Sequence, residues 1–165
     1  MRPAIAPTLR PGALLVLMAA TLPSLAAPPA TADAELWRRE CAFAATMAER
    51  NLQAFAGFVS EQAVFHSGPT PLKGREAVRR FWQRFYADAA APFSWYPDQA
   101  ELLEPDRLAH TSGPVFGADG KLSGRFHTIW RKEADGQWRV LLDHGGPPDA
   151  RDGERHARPD PDACR

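Results

Sequence analysis

The sequence predicts an α+β domain in which a curved antiparallel sheet wraps around three N-terminal helices to form a cone. Two observations carry this prediction. Apolar residues recur at helical spacing between residues 33 and 85, and short alternating strands separated by turns follow from Pro92 onward. A sheet with one apolar face must cover that face, and the apolar stripes of the helices are the surfaces left to do so.

The first half of the domain is expected to be helical. Asp33 is a favourable N-cap for a first helix that continues to about Arg50. A short second helix between Leu52 and Val59 precedes a strand at residues 63–66. A third helix opens at Gly74, and its apolar side is rich in aromatic residues, which are Phe81, Trp82 and Phe85.

Three turns define the sheet. Residues 118–120 and 134–136 are both Ala-Asp-Gly, which suits a three-residue hairpin loop with glycine in the left-handed conformation, and residues 105–107 form a third turn. These turns predict four antiparallel strands. The expected pairs are Gly117 with Lys121, Glu133 with Gln137, and Glu104 with Leu108.

Side chains alternate along a strand, so this register assigns the two faces of the sheet. The inner face is expected to carry Phe126, Thr128 and Trp130 between two neighbouring strands, with His110 and Ser112 on one side and His144 on the other. The outer face is expected to pair His127 with Asp143, and Glu101 is placed outside the site.

Composition excludes several classes of function. The 165 residues include 20 Lys or Arg and 20 Asp or Glu, which gives a formal net charge of zero. Nucleic acid is therefore not an expected partner, because its binding proteins usually gather a basic excess on one face. A disordered chain is excluded by the 44% of hydrophobic residues and the five Trp. The length favours a single domain.

The N-terminus has the pattern of a secretory signal peptide. Arg2 and Arg10 precede an apolar run over residues 13–22, and Ala30-Thr31-Ala32 fits the cleavage motif. The run is shorter than the roughly 20 residues that span a bilayer. We therefore expect a signal peptide at 1–32, cleavage near Ala32, and an exported protein, periplasmic or secreted, with no membrane association after cleavage. A retained N-terminal anchor is the alternative.

The domain is expected to cover residues 33–146, followed by a disordered tail at 147–165. The tail is made of Pro, Asp, Arg, Gly and His with almost no apolar residue, so it has little to offset the entropy of ordering. Cys41 and Cys164 could pair in an oxidising compartment. The composition of the tail argues against that pairing, because the bond would have to hold a disordered end.

Several segments carry a resemblance to known proteins. They are Ala63-Val64-Phe65-His66, residues 72–78 (LKGREAV), Thr128-Ile129-Trp130-Arg131 and residues 135–140 (DGQWRV), with further look-alikes in Phe93-Ser94-Trp95 and Ser112-Gly113-Pro114. Between about Glu35 and Pro148 the chain resembles the SnoaL-like and ketosteroid-isomerase-like proteins of the nuclear-transport-factor-two-like superfamily. The resemblance implies a conical pocket and often a homodimer through the outer face of the sheet.

The same resemblance suggests candidate chemistry. Ketosteroid isomerases place a carboxylate base where this chain has His66, and an oxyanion-hole tyrosine where it has Phe43. Histidine can act as a general base near neutral pH. Without the tyrosine hydroxyl, isomerisation of steroids is not expected.

The candidate site therefore combines a possible base, His66, with polar and aromatic residues for ligand binding. The ligand-binding candidates are His110, Ser112, Thr128, His144, Trp82, Phe85, Trp95, Phe126 and Trp130. Each has a structural alternative, since the histidines could be satisfied core residues and the aromatics could simply pack the core. No metal is expected, because the histidines lack a ligand-pair spacing, and no motif indicates a cofactor.

Three functions follow from this site. The favoured one is an exported protein that binds a small hydrophobic or aromatic molecule in an apolar cone. The second is a cofactor-free isomerase, cyclase or hydrolase in which His66 is the general base. The third is a structural or partner-binding dimer with a filled core, which a cavity well below about 300 Å³ would favour.

Overall fold

A computed structural model describes residues 32–165. The predicted signal peptide therefore lies outside the described residues, except for Ala32. The helices are α1 (Ala32–Ala48), α2 (Leu52–Phe58), α3 (Arg75–Trp82) and α4 (Asp152–Arg155), and a 3-10 turn at Gln83–Tyr86 extends α3. The strands are β1 (Val59–His66), β2 (Leu72–Lys73), β3 (Phe93–Trp95), β4 (Gln99–Glu104), β5 (Leu108–Gly117), β6 (Leu122–Lys132) and β7 (Trp138–Gly146).

The expected α+β cone is confirmed. The sheet has the order β2-β1-β7-β6-β5-β3, and β4 also pairs with β5. Strand β1 runs parallel to β7, and the other pairs are antiparallel. Helices α1, α2 and α3 cover the concave face, where aromatic rings from both layers meet; the ring centroids of Phe43 and Trp130 are 5.8 Å apart. Among residues 32–165, no helix combines the length and apolar character needed to cross a bilayer.

The three predicted turns are confirmed. The backbone amide of Gly117 donates to the carbonyl oxygen of Lys121 at 2.9 Å. The backbone amide of Glu133 donates to the carbonyl oxygen of Gln137, also at 2.9 Å. Glu104 pairs with Leu108. Gly120 and Gly136, the last residues of the two Ala-Asp-Gly turns, have φ of 74° and 76°, the left-handed region that glycine tolerates without steric cost.

The predicted register fails a few residues beyond all three turns, because each hairpin contains a β-bulge. Along β4 and β5 the pairing changes from Glu104–Leu108 to Leu102–Ala109, which leaves Leu103 as the extra residue. Along β5 and β6 the pairing changes from Phe116–Leu122 to Val115–Gly124, which leaves Ser123 as the extra residue. Along β6 and β7 it changes from Trp130–Val140 to Ile129–Leu142, which leaves one extra residue on β7. A slip of one residue moves every later side chain of a strand to the opposite face.

The C-terminal segment packs against the rest of the domain. The prediction of a disordered tail is therefore wrong. Cys164 forms a disulfide with Cys41 of α1, which also contradicts the argument against this pairing. Asp152 is fully buried and accepts a hydrogen bond from Arg125 at 2.6 Å. The ion pair and the disulfide hold the tail against the domain. Composition alone does not reveal either interaction.

The tail crosses the outer face of the sheet near one end. His156 contacts the carboxylate of Asp98 at 2.9 Å, and Arg125 of β6 pairs with both Asp98 and Asp152. Arg125 is only 4% exposed as a result. The tail thus occupies part of the surface that a homodimer would use, and the dimer itself stays a prediction.

Candidate functional site

A cavity of about 420 Å³ opens where strands β1 and β7 end beside each other. Its walls are mostly aromatic. The lining residues are Phe43, His66, Ser67, Trp82, Phe93, Trp95, Val115, Phe126, Asp143 and Gly145. Gly145 leaves open space on its side of the wall, since a Cβ atom built there would meet nothing within 4 Å. The volume and the apolar walls are typical of a small-molecule site.

Asp143 is the acidic residue among these lining residues. It follows the bulge of β7, and its Cα pairs with that of Thr128 on β6. The hydroxyl of Thr128 donates to its carboxylate at 3.0 Å. Burial, with a smaller contribution from the negative charge of Glu40, raises the pKa of Asp143 to about 7, against the effect of the Thr128 hydrogen bond. The carboxyl can therefore donate or accept a proton near neutral pH.

A second buried acid supports the wall behind the cavity. Glu40 of α1 is fully buried and accepts hydrogen bonds from the indole of Trp95 at 2.8 Å, the hydroxyl of Thr111 at 2.6 Å and the indole of Trp130 at 3.1 Å. Burial raises the pKa of Glu40, and these three hydrogen bonds oppose that effect. Glu40 thereby fixes the orientation of Trp95, whose ring lines the cavity.

The structure brings together part of the predicted site. His66, Trp82, Trp95 and Phe126 line the cavity as expected. The remaining inner residues lie one layer behind these walls. Thr128 is buried and contacts Asp143, Trp130 is buried against Phe43, and Phe85 packs on Trp82 with ring centroids 5.5 Å apart.

The other predicted ligand-binding residues lie on the wrong face. His110, Ser112 and His144 belong to the outer face, because the bulges in the β5–β6 and β6–β7 pairs shift β5 and β7 by one residue relative to β6. The ring of His110 contacts His127 at 3.3 Å, and Ser112 is buried beneath the tail beside Arg125. The prediction that these three side chains face the cavity is therefore wrong.

His66 lies at the rim of the cavity and is exposed. Its Cα pairs with that of His144, and the two rings have centroids 6.1 Å apart. Asp143, which the sequence placed outside, takes the inner position instead. One signal could have found it: Val140-Leu141-Leu142-Asp143 breaks the alternation of a strand, which is typical of a bulge.

One cluster of three possible metal ligands occurs among the described residues. Ligand atoms of Asp98, Asp152 and His156 lie within 4.8 Å of one another. The guanidinium of Arg125 already bridges the two carboxylates, however, so a positive charge is in place. The cluster holds the tail against the sheet through ion pairs.

Comparison with known families identifies the chain. The SnoaL-like domain family matches residues 42–141, which include most of the helices and the sheet. The chain belongs to the SnoaL-like family. Among curated proteins, none is similar enough in sequence to count as a relative.

Solved structures share the SnoaL-like architecture at low sequence identity. An NTF2-like protein of unknown function from Pseudomonas putida is 18% identical, with a TM-score of 0.58 over 72% of this chain and 89% of that protein. A domain of unknown function with a cystatin-like fold from Nostoc punctiforme is 16% identical, with a TM-score of 0.59 over 76% and 83% of the two chains. These similarities establish the fold alone.

The cavity of this SnoaL-like domain combines apolar walls with one ionisable carboxyl group. Its aromatic walls favour an apolar ligand, and Asp143 supplies a hydrogen-bonding group that also exchanges protons near pH 7. The ring of Phe43 lines the wall and provides no hydroxyl, so the polar side chains among the lining residues are Asp143, His66 and Ser67.

Proposed function

We propose that the protein binds a small apolar or aromatic molecule in the cavity and holds the polar group of that molecule through Asp143. The observation that carries the proposal is the position of a single carboxyl, with its pKa raised to about 7, among aromatic walls. A cavity of about 420 Å³ lies within the usual range for ligand sites and argues against a filled core.

The binding proposal can be tested with two probes that differ by one hydroxyl, naphthalene and 2-naphthol. Trp82 and Trp95 line the cavity, so their fluorescence should report on either probe. We expect 2-naphthol to bind more tightly than naphthalene, and Asp143→Ala to remove that difference while leaving naphthalene binding nearly unchanged. Equal affinity of both probes for the wild-type protein would contradict the role given to Asp143.

A glycine pair provides a matched control for the cavity itself. Gly145→Leu should fill the cavity without steric conflict and weaken both probes by about tenfold or more. Gly57→Leu makes the same change on the exposed side of α2, where there is also open space, and should leave both affinities unchanged. If Gly145→Leu binds as tightly as the wild type, the ligand site lies elsewhere.

The raised pKa of Asp143 favours a second function, proton transfer at a carbon next to a carbonyl group. The carboxylate would remove the proton from that carbon and return it from the carboxylic acid, so no cofactor is needed. His66, exposed at the rim, is a weaker candidate for this base than the carboxyl inside the cavity. A positioned general base typically contributes about 10²- to 10⁴-fold to the rate.

Proton transfer can be measured as deuterium exchange at the α-carbon of 2-tetralone in D2O. The rate should rise with the ionised fraction of Asp143, and so increase as pH passes through about 7. Asp143→Asn should abolish the enhancement, and His66→Ala should leave most of it. Equal exchange rates for the wild type and Asp143→Asn would contradict proton transfer by Asp143 and leave ligand binding as the proposed function.

Export remains our proposal for the location of this activity. The pattern of residues 1–32 supports it, and so does the disulfide between Cys41 and Cys164, since such bonds persist mainly in oxidising compartments. Fractionation of the native host should recover the chain outside the cytoplasm and shortened to begin near Asp33. A full-length chain in the cytoplasmic fraction would contradict it.

A further inference from the structure

Four of the five histidines of the sequence form a row across neighbouring strands of the sheet. His110, His127, His144 and His66 lie on the neighbouring strands β5, β6, β7 and β1. The Cα of His127 pairs with that of His144, and the Cα of His144 pairs with that of His66. His66, at the end of the row, also lines the cavity, whereas His110, His127 and His144 take no part in the chemistry proposed for it.

The tightest contact in the row joins two ring nitrogens. Nε2 of His110 lies 3.3 Å from Nδ1 of His127, with the two ring planes only 4° apart. Two Zn–N bonds of about 2.0–2.1 Å meeting at a tetrahedral angle also separate their nitrogens by about 3.3 Å. The spacing therefore suits a shared proton or a shared metal ion.

Glu101 prepares His110 to act as a ligand. Its carboxylate contacts Nδ1 of His110 at 3.1 Å, so the proton of the neutral imidazole is held on Nδ1 and the lone pair lies on Nε2, the nitrogen that faces His127. A carboxylate behind a ligating histidine is a common arrangement in metal sites, because it fixes the tautomer and increases the basicity of the ligand.

His127 meets His110 through Nδ1, and its side chain is exposed on β6, so a metal ion can reach this nitrogen from solvent. His144 lies on the next strand, where its Cα pairs with that of His127, and is not one of the two ligands.

We infer that His110 and His127 form a surface site for a divalent transition-metal ion of the zinc class, with Glu101 positioning His110. Imidazole nitrogens prefer such ions to Mg²⁺ or Ca²⁺. Two histidines leave two tetrahedral positions for water or other ligands. The competing cluster of Asp98, Asp152 and His156 is neutralised by Arg125, so we do not assign the ion there.

The test is calorimetric titration of the protein, prepared without an affinity tag, with Zn²⁺. We expect one equivalent to bind, and we expect Co²⁺ to give the visible absorption bands of a tetrahedral site. His110→Ala and His127→Ala should each weaken Zn²⁺ binding by about tenfold or more, and Glu101→Gln by about tenfold. These side chains lie on the surface, and circular dichroism will confirm that each variant is folded.

His156→Ala is the matched control, since it removes the histidine outside the row, and Asp143→Asn separates this site from the cavity. Both should bind Zn²⁺ like the wild type. The inference is overturned if Zn²⁺ binding is weaker than about 1 mM, if His127→Ala weakens it by less than tenfold, or if His156→Ala abolishes it. Because Asp143 takes no part here, failure of the ligand proposal would leave this result unchanged.

Discussion

The two faces of strand β6 carry polar groups in opposite situations. On the outer face Arg125 is buried between the carboxylates of Asp98 and Asp152, and each charge has an opposite partner. On the inner face Asp143 sits beside Thr128, and the charged neighbour that contributes to its pKa is Glu40, which has the same sign. Burial alone therefore does not determine the role of an ionisable side chain. A neighbour of opposite charge makes the group stabilise the fold, whereas a neighbour of like charge leaves it able to exchange a proton.

The largest expected effect comes from breaking the outer pair. Arg125→Ala leaves the buried carboxylate of Asp152 without its partner and should lower the free energy of unfolding by about 3–5 kcal/mol. Hydrogen exchange should show faster exchange in the tail as well. Arg38→Ala, an exposed change on α1, should cost less than about 0.5 kcal/mol in the same urea titration. Similar losses for both variants would remove the distinction between the faces.

The inner acid should behave in the opposite way, so that its removal stabilises the protein above neutral pH. The pKa of Asp143 is about 7 in the folded state and near 3.8 in the unfolded chain, so the folded state binds more protons between these values. Stability that is fully present below about pH 4 is then lost as pH rises through 7, by about 4 kcal/mol in total.

Asp143→Asn removes this ionisation and should therefore raise the free energy of unfolding at pH 8 by up to about 4 kcal/mol, with little change at pH 4. Asp106→Asn is the matched control, since it makes the same change at an exposed turn residue with φ of 54°. It should show no difference above about 0.5 kcal/mol between the two pH values. If Asp143→Asn is more destabilising at pH 8 than at pH 4, Asp143 is an ordinary ion-paired acid with a lowered pKa.

The smallest effect sharpens the assignment of faces along β7. Val140 is fully buried on the inner face, whereas Leu142 lies beyond the bulge and is 36% exposed. Val140→Thr should cost about 1–3 kcal/mol because it buries a hydroxyl, and Leu142→Thr should cost less than about 0.5 kcal/mol. Comparable losses in urea denaturation would place Leu142 inside and remove the bulge.

The sequence was a good guide to the elements and a poor guide to the site, for one physical reason. Helical spacing and turn chemistry are local, and they correctly predict α1, the Ala-Asp-Gly turns and the pairs next to those turns. The face of a residue ten positions away depends on every pairing in between. One extra residue at Ser123, and another on β7, moved His110, Ser112 and His144 outward and Asp143 inward.

The prediction of a disordered tail failed for a different reason. Its composition offers few apolar residues, so its order depends on long-range partners: Cys41 for Cys164, and Arg125 for Asp152. Such pairs join segments that are distant in sequence, and no local pattern announces them. By contrast, Trp82, Trp95 and Phe126, which the sequence places at inward positions, line the cavity, because large aromatic side chains bury their area against the helices and the inner face of the sheet.

The most direct measurement is the pKa of the Asp143 carboxyl, read from the pH dependence of its 13C chemical shift, with Asp143→Asn used to assign the resonance. Burial in the cavity predicts a midpoint near 7, and bound 2-naphthol should shift that midpoint because it contacts the carboxyl. A midpoint near 4 that does not respond to 2-naphthol would show a solvated acid and would contradict the assignment of this cavity as the functional site.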